Sequence, residues 1–459
     1  MKKIIYKISL TILTIILFTT SCVIEPQQKE ELVILPPRIH KQEIISFFAD
    51  LPFDSESEIK IALMLPLTGK HEKLGQDLYK AAQLALFDHG DPRIVIYPYD
   101  TEASEFKSIS LMDEIIENKV KIIIGPIFSK NVKSIKPLVK ANNIKVFTFS
   151  NNTDVAGDGI YVLGVDVKQQ ISRLVDYATD NGYEYFSAIA PANHYGSDAV
   201  KQLRISAKDK AMILKSEFYN SDNSLKRSVR KVLKSMQESP VNEKGLEVFK
   251  ELTISEINRN LQLVADTNKD EVIYDDLELL EPENLKVERL EDEHIYRDIH
   301  DYKRALLLAD SARNLETISN MVSADDFIGE FKLLGTSLMG NKDIYSNKLF
   351  EDAWFTDLPH ENIINYEHHF MTTYNYVPED ISVFAYDMVS VISALASYNE
   401  VYNVSYLESK IGFSGVSGVF RFNNNGIVER LFEIYEIRDG IKNTVDPAQF
   451  QFKEPITIN

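Results

Sequence analysis

The sequence predicts an α/β fold in which parallel sheets are covered by helices on both faces. Apolar, β-branched runs of strand length alternate with helical patterns of about 12 to 20 residues over most of the chain. The strand runs are almost continuously hydrophobic, which is typical of strands buried on both faces of a sheet. Because 44% of the 459 residues are hydrophobic, the chain can build a large core, and its length favours two lobes.

Eight segments carry the strand pattern. They are IKIALMLPL (59–67), RIVIYPYD (93–100), VKIIIGPI (120–127), KVFTFS (145–150), YFSAIAP (185–191), MILKSEF (212–218), RALLLAD (304–310) and KLLGTSL (332–338). The helix predicted after the first strand stops at Gly90. Its apolar face is formed by Leu74, Leu78, Ala81, Ala82 and Ala85.

Two later stretches depart from this alternation. After the basic helix SLKRSVRKVLKSM (224–236), the acid-rich residues 238–302 are too many for a simple crossover, and they are predicted to form an insertion. Their charge fits a solvated face at least as well as a docking site. Near the C-terminus, GVFRFNNNGIVERLFEIYEI (418–437) predicts a β-hairpin around Asn425-Gly426, a pair that tolerates positive φ in a tight turn.

The N-terminal residues have the layout of a secretory signal. Residues 1–21 contain three lysines, then an apolar run that is too short to span a bilayer, then small residues before Cys22. Cys22 is the only cysteine, so an internal disulfide is excluded. Residues 22–57 are polar and contain prolines, and they are predicted to form a tether. Without residues 1–21 the formal charge falls from −19 to −22, which argues against a nucleic-acid partner.

The body offers little catalytic chemistry. The glycines of GFSGVSG (412–418) lead into a strand and not into a helix that could hold a phosphate. His368 and His369 are adjacent, so on a helix they point about 100° apart and make a poor metal pair. No catalytic residue, metal or cofactor is predicted, and an enzyme is the least supported of three hypotheses.

Cys22 and the residues before it resemble a bacterial lipoprotein signal, in which the cysteine becomes the new N-terminus and carries lipid chains. The resemblance implies a protein anchored to a membrane and facing the periplasm. Because Val23 and not Asp follows the cysteine, it favours the outer membrane over the inner one. An ordinary signal peptide with an incidental cysteine is the alternative.

Five segments together resemble the type I periplasmic-binding-protein fold, which includes the leucine/isoleucine/valine receptors. They are IALMLPLTGKHEKLGQDLYKAAQLAL (61–86), IIIGPIFS (122–129), VFTFSNNTD (146–154), APANHYG (190–196) and AYDMVSVISAL (385–395). The resemblance implies two α/β lobes joined by three crossings, with a ligand cleft at the carboxyl ends of the strands. We expect one lobe to comprise 58–165 and 357–411, and the other to comprise 166–356 and 412–445.

Carried over position by position, the resemblance implies a cleft lined by Ser129, Ser150, Thr153 and Tyr195. For Ser129, a role as the N-cap of its own helix is an equal alternative. The segment LLGTSLMGN (333–341) has no carboxylate to meet a ligand ammonium, and Phe128 stands beside Ser129 where the receptors usually have a small residue. The missing carboxylate argues against a free amino acid as ligand, because a buried ammonium needs a partner. The ring of Phe128 argues against it too, because it would crowd the cleft.

Three further segments resemble the penicillin-binding protein activators of α-proteobacterial type. They are 149–178, AWFTDLP (353–359) and GFSGVSGVFRFNNNGIVERLFEIYEI (412–437). The resemblance implies a non-enzymatic envelope lipoprotein that contacts a bifunctional penicillin-binding protein and promotes peptidoglycan synthesis. The long N-terminal helical-repeat domain of the enterobacterial activator is not matched here. The alternative is a receptor of an ABC importer that binds an amino acid or a related small molecule in the cleft.

Overall fold

The computed structural model describes residues 58–237, 303–321 and 331–452. The predicted signal peptide, the lipid site Cys22, the tether and the acidic insertion all lie outside these residues, so those interpretations stay predictions. The described part of the chain contains no helix that is long and apolar enough to cross a membrane.

The first part of the described chain forms a five-stranded sheet in which every strand pair is parallel. Its strand order is β2-β1-β3-β4-β5. The elements are β1 Ile59–Leu65, α1 Glu72–His89, β2 Ile94–Asp100, α2 Glu105–Glu117, β3 Ile122–Ile124, α3 Ser129–Ala141, β4 Lys145–Thr148 and β5 Ile160–Val162, with 3-10 turns at Gly69–His71 and Thr153–Val155. The central strand β1 is buried at every position except Lys60, as its unbroken apolar sequence predicts.

The second sheet has seven strands in the order β15-β14-β10-β9-β8-β6-β7. The elements as far as β10 are α4 Val167–Asp180, β6 Tyr185–Pro191, α5 His194–Ala207, β7 Met212–Tyr219, α6 Asp222–Gln237, β8 Arg304–Leu308, α7 Ala312–Met321, β9 Phe331–Gly335, α8 Lys342–Tyr345 and β10 Trp354–Asp357, with 3-10 turns at Ser337–Met339 and Lys348–Phe350. Side-chain caps begin two of its long helices: Asp166 accepts from the Lys168 amide at 2.9 Å, and Asn193 accepts from the Gly196 amide at 2.9 Å.

The last part of the described chain contributes to both sheets' cores. Its elements are α9 His360–Tyr374, α10 Ser382–Ser397, α11 Val404–Leu407, β11 Phe413–Gly415, β12 Gly418–Phe422, β13 Val428–Arg430, β14 Glu433–Arg438 and β15 Ile441–Asp446. Helix α10 is buried at every residue from Ser382 to Ser393, and it packs with α1 into the core of the first sheet. Strand β14 joins the second sheet antiparallel to β10, and β15 pairs antiparallel with β14.

The chain passes between the two sheets three times within the described residues. The crossings lie between β5 and α4, between β10 and α9, and between β13 and β14. Three crossings between two α/β lobes were predicted from the family resemblance, and the two-lobe α/β fold is confirmed.

Most of the predicted strands and the first helix are confirmed, with end residues that shift by a few positions. The hairpin prediction is correct for its first half: β12 pairs antiparallel with β13, and Gly426 in the turn has φ 76°. The second half is wrong, because the predicted strand through residue 437 divides at Leu431 and Phe432. Phe432 is buried in the first lobe's core, whereas Ile434 is buried in the second lobe's core.

The predicted lobe boundary at residue 412 also needs correction. Strands β11, β12 and β13 form a separate three-stranded sheet, and their side chains pack into the core of the first lobe and not of the second. The ring of Phe422 lies 5.3 Å from that of Tyr161 and 5.9 Å from that of Phe147, measured between ring centroids. These aromatic contacts explain why the segment stays with the first lobe until Phe432.

Candidate functional site

The carboxyl ends of the strands in both lobes converge on one region near the crossings. In the first lobe, Ser129 begins the helix after β3, and Ser150 and Thr153 follow β4. In the second lobe, Tyr195 lies in the first turn of α5 after β6, and Thr336 follows β9. This is the edge at which open α/β sheets bind ligands, because loop amides and helix N-termini are exposed there.

Ser129 does not cap its own helix. The N-cap position of α3 is Phe128, which makes no side-chain capping bond, and Ser129 is the first helical residue. Its half-buried hydroxyl makes no hydrogen bond to any residue that the structure describes, so the N-cap interpretation is wrong and the hydroxyl is free for another partner. The ring of Phe128 packs 4.8 Å from that of His71, between centroids, at the side of the cleft.

Ser150 shapes the loop that follows β4. It is 4% exposed, and its hydroxyl accepts a hydrogen bond from the Asn152 amide at 3.1 Å. Its carbonyl accepts from the Gly164 amide in the first crossing at 3.1 Å. A Cβ at Gly164 would lie 2.2 Å from that carbonyl oxygen, so only glycine permits this approach. Ser150 therefore ties the cleft loop to the first crossing.

Thr153 and its neighbour Asp154 contact the second lobe across the cleft. Lys168 on α4 donates to the Thr153 hydroxyl at 3.2 Å, and its Nζ also lies 3.3 Å from Asp198 on α5. His194 at the start of α5 has its Nε2 2.9 Å from Asp154 Oδ2. We call these contacts the cleft bridge. The protein's own side chains thus join the two lips of the cleft.

Tyr195 covers the carboxyl ends of the second-lobe strands. Its hydroxyl lies 2.7 Å from Thr336 Oγ1, and burial raises the pKa of the phenol well above its usual value. Next to it, Gln170 of α4 accepts a hydrogen bond from the Ser337 amide at 2.7 Å. The Tyr195 hydroxyl is therefore neutral at physiological pH and is available as a hydrogen-bond partner beside Thr336.

Asp310 is a site residue that the sequence prediction missed. It follows β8, which is the neighbour of β9 in the sheet, and it is 5% exposed. Its Oδ1 accepts from the Ser311 amide at 2.7 Å and from Asn314 Nδ2 at 2.9 Å. Its Oδ2 is buried and has no hydrogen-bond partner among the described residues. Burial raises the pKa of this carboxyl. The available signal was an acid at the end of the apolar run LLLAD.

A second buried carboxyl lies behind the crossings. Asp387 of α10 accepts hydrogen bonds from the amides of Val416 at 2.7 Å and Ser417 at 2.9 Å. The Ser417 hydroxyl also donates to Asp387, and it accepts from Arg430 at 2.6 Å. Arg430 donates further to the Leu163 carbonyl in the first crossing at 3.0 Å, and burial lowers its pKa to about 10. This network, here called the crossing network, joins two of the three crossings.

The site has no metal-binding character in the part of the chain that the structure describes. Over residues 58–237, 303–321 and 331–452, no group of three or more His, Cys, Asp or Glu side chains is arranged to hold an ion. His368 and His369 both lie on α9. The polar groups gathered at the cleft are hydroxyls, the Asp310 carboxyl with one unpaired oxygen, and the cleft bridge.

The fold and the position of the cleft define the class: this is the two-lobed fold of the type I periplasmic binding proteins. Residues 58–239 match the family described as "Periplasmic binding protein". Among solved structures, the branched-chain amino acid transporter substrate-binding protein LivJ of Streptococcus pneumoniae, in complex with isoleucine, superposes with a TM-score of 0.52 at 14% identity, covering 85% of this chain and 100% of LivJ.

Two curated relatives give the more particular likeness. An uncharacterised protein of Rickettsia prowazekii is 28% identical over 255 residues, which are 55% of this chain and 62% of that protein. The penicillin-binding protein activator LpoA of Vibrio cholerae is 25% identical over 146 residues, which are 30% of this chain and 24% of the activator. The chain therefore spans less than two thirds of the length of either relative, and the similarity to the activator is weak.

Proposed function

We propose that this chain is a non-enzymatic envelope lipoprotein that regulates a peptidoglycan synthase, as a penicillin-binding protein activator does. In this proposal Cys22 carries lipid chains that insert into the outer membrane. Residues 22–57 then link the body to this anchor. The weak similarity to LpoA supports the choice of partner. The observation that carries the proposal is the cleft bridge, which joins the two lobes across the cleft. A module that only recognises another protein does not need a cleft that opens for a solute, so such a bridge is compatible with its function.

The contacts between the lobes are more extensive than the cleft bridge alone. Exposed polar contacts such as that of His194 with Asp154 contribute only about 0–1 kcal/mol each. More firmly held is Gln169 of α4, which donates to the Val428 carbonyl at 2.7 Å and accepts from the Arg430 amide at 2.9 Å. Arg173 of α4 also donates to the carbonyl of Phe432, a residue of the first-lobe core, at 3.3 Å. A body held in one arrangement presents a constant outer surface to a partner.

The first lobe offers an apolar contact point for such a partner. Phe87 near the end of α1 is 87% exposed. It borders a cavity of about 340 Å³ between α1 and α9. The lining residues are Gln83, Leu84, Phe87, His369, Thr373 and Tyr374. An exposed aromatic ring beside a concave surface has the character of an interface hot spot, so we assign the synthase contact to this position.

We expect Phe87→Ser to weaken capture of a bifunctional penicillin-binding protein at least tenfold, because removing a hot-spot ring costs about 2 kcal/mol or more of binding free energy. The measurement is a quantitative pull-down of detergent-solubilised synthases of the source organism by the immobilised chain. Phe106→Ser is the matched control, because Phe106 on α2 is 82% exposed but lies outside this cavity. If the unaltered chain captures no synthase, the proposal is refuted. If both variants capture the synthase equally well, the assigned contact is refuted.

A specific observation favours a second function, that of a solute receptor. The unpaired Asp310 Oδ2 is a buried acceptor at the second-lobe edge of the cleft, where it could meet an ammonium group. The sequence prediction had searched residues 333–341 for such an acid and found none, whereas Asp310 follows the neighbouring strand β8. LivJ, which shares the fold, holds isoleucine.

Thermal-shift screening with branched-chain amino acids, short peptides and cell-wall fragments tests the receptor function. A ligand present at 100 times its dissociation constant is expected to stabilise the body by about 2.7 kcal/mol. Asp310→Asn should remove that stabilisation for cationic ligands, while Glu316→Gln on the exposed face of α7 should keep it. If no compound raises the melting temperature of the unaltered chain, the receptor function is wrong.

A further inference from the structure

Helix α6, on the outer side of the second lobe, has two faces of opposite character. Its inner face is apolar: Leu225, Val229, Val232 and Met236 are at most 3% exposed and pack against the second sheet. Its outer face carries five exposed cations, namely Lys226, Arg227, Arg230, Lys231 and Lys234. We call these five residues the cationic face. At about 100° per residue they fall within an arc of about 140°.

Among the described residues, most of the cationic face has no neutralising partner. Lys231 pairs with Glu217 of β7, with 3.0 Å between Nζ and Oε2. The other four cations make no ion pair or hydrogen bond with any residue in the described ranges. Four unpaired cations on about two turns of helix are unusual in a chain whose formal charge is −19. Because these cations repel one another, a negatively charged partner that reduces the repulsion is expected to bind to them.

From this we infer that the cationic face rests on an anionic phospholipid surface and orients the body against the membrane. From Lys226 to Lys234 the cations span about 12 Å along a straight helix, a row that a flat surface can contact at every position. Lysine and arginine near an anionic leaflet each contribute to binding, and their aliphatic stems reach toward the headgroups. The inference goes beyond the proposed function, because it concerns the second lobe and not the synthase contact.

The predicted tether makes this contact reachable. A flexible segment of the length of residues 22–57 would have a root-mean-square span of about 30–36 Å, so the body stays close to the surface that holds the lipid. At that distance even weak attraction fixes an orientation, because binding is intramolecular and the effective concentration is high.

The test is co-sedimentation of the chain from Val23 to Asn459, which has no lipid, with vesicles. An equimolar mixture of phosphatidylcholine and phosphatidylglycerol should bind it at about 0.1 M salt, whereas pure phosphatidylcholine should not. Binding should disappear at about 1 M salt, where the Debye length is about 3 Å. Lys226→Gln with Arg230→Gln should weaken binding roughly 25-fold, at about fivefold per cation.

The matched control is Lys130→Gln with Lys133→Gln on α3, because both lysines are exposed, unpaired in the described structure and on the first lobe. This pair changes the net charge equally and should leave binding within twofold. Equal loss in both double variants, or no binding by the unaltered chain at low salt, would overturn the inference. Binding to an acidic polypeptide but not to vesicles would overturn it too, since the face would then recognise protein.

Discussion

Replacement of Arg430 by methionine is expected to lower the free energy of unfolding by about 3–5 kcal/mol. Arg430 is 5% exposed, and its guanidinium lies between Ser417, the Leu163 carbonyl and the ring of Phe384, 4.4 Å from the ring centroid. Methionine fills a similar volume, so no large cavity is left. The loss arises because Asp387 then remains buried without a compensating cation.

Urea unfolding followed by far-ultraviolet circular dichroism measures this loss. The matched control is Arg421→Met on the neighbouring strand β12, because Arg421 pairs with Glu429 at 2.7 Å at the partly exposed surface. That variant should lose less than about 1 kcal/mol. Combining Arg430→Met with Asp387→Leu should recover part of the loss, with a coupling energy of about 0.5–3 kcal/mol. Similar losses in the two single arginine variants would show that the crossing network contributes no more to the free energy of unfolding than an exposed ion pair does.

The crossing network also explains why the lobes hold together near the cleft. Arg430 belongs to β13 and reaches the Leu163 carbonyl in the first crossing, while its own amide is held by Gln169 of α4. One residue thus contacts the first crossing, the third crossing and a helix of the second lobe. The same rigidity that favours a protein-binding module would hinder the wide opening that a solute receptor uses.

Much of the fold could be predicted because its main signals are local. A strand such as Ile59–Leu65 is apolar throughout, and the helix after it has one apolar face and ends at Gly90, whose amide donates to the Leu86 carbonyl at 2.9 Å. Both patterns follow from burial on one or two faces. The end residues were less accurate, since the carboxyl-terminal residues of apolar runs continue into loops at the cleft edge.

The division of the last hairpin could not be predicted from such patterns. Residues 428–437 are rich in strand-forming residues throughout, and such a pattern indicates that part of the strand is buried but not in which core. Only the tertiary arrangement places Phe432 in the first lobe and Ile434 in the second. A change of lobe within two residues could not be predicted from the local sequence pattern.

The site was predicted in part for a similar reason. Ser150 and Thr153 were carried over from the family resemblance, which places the loop after β4 at the cleft, as expected for the carboxyl end of a parallel strand. The partner of Tyr195, Thr336, is 141 positions away, and the partner of Thr153 is a lysine of the other lobe. An unsatisfied oxygen such as Asp310 Oδ2 depends on everything packed around it, which no spacing rule describes.

Asp310 leads to the second large prediction: Asp310→Asn is expected to raise the free energy of unfolding at neutral pH by about 1–3 kcal/mol. Burial raises the folded-state pKa of this carboxyl above its ordinary value of 3.8, and the hydrogen bonds that Oδ1 accepts from Asn314 and Ser311 offset only part of that effect. The penalty is therefore absent below 3.8, grows as the pH rises from 3.8 to the folded-state pKa, and is fully present above the folded-state pKa. Asparagine removes the charge and keeps the oxygen that accepts from Ser311.

Urea unfolding monitored through Trp354, the only tryptophan and a residue of the second lobe, measures the difference. The stability gain of Asp310→Asn over the unaltered chain should shrink toward zero as the pH approaches 3.8. Glu316→Gln on the exposed face of α7 should change stability by less than about 0.5 kcal/mol at any pH. A destabilised Asp310→Asn variant at neutral pH would mean that the carboxylate has a stabilising partner. A stabilised one would mean that the chain keeps a carboxylate at the cleft edge at the expense of its own stability, as binding sites do.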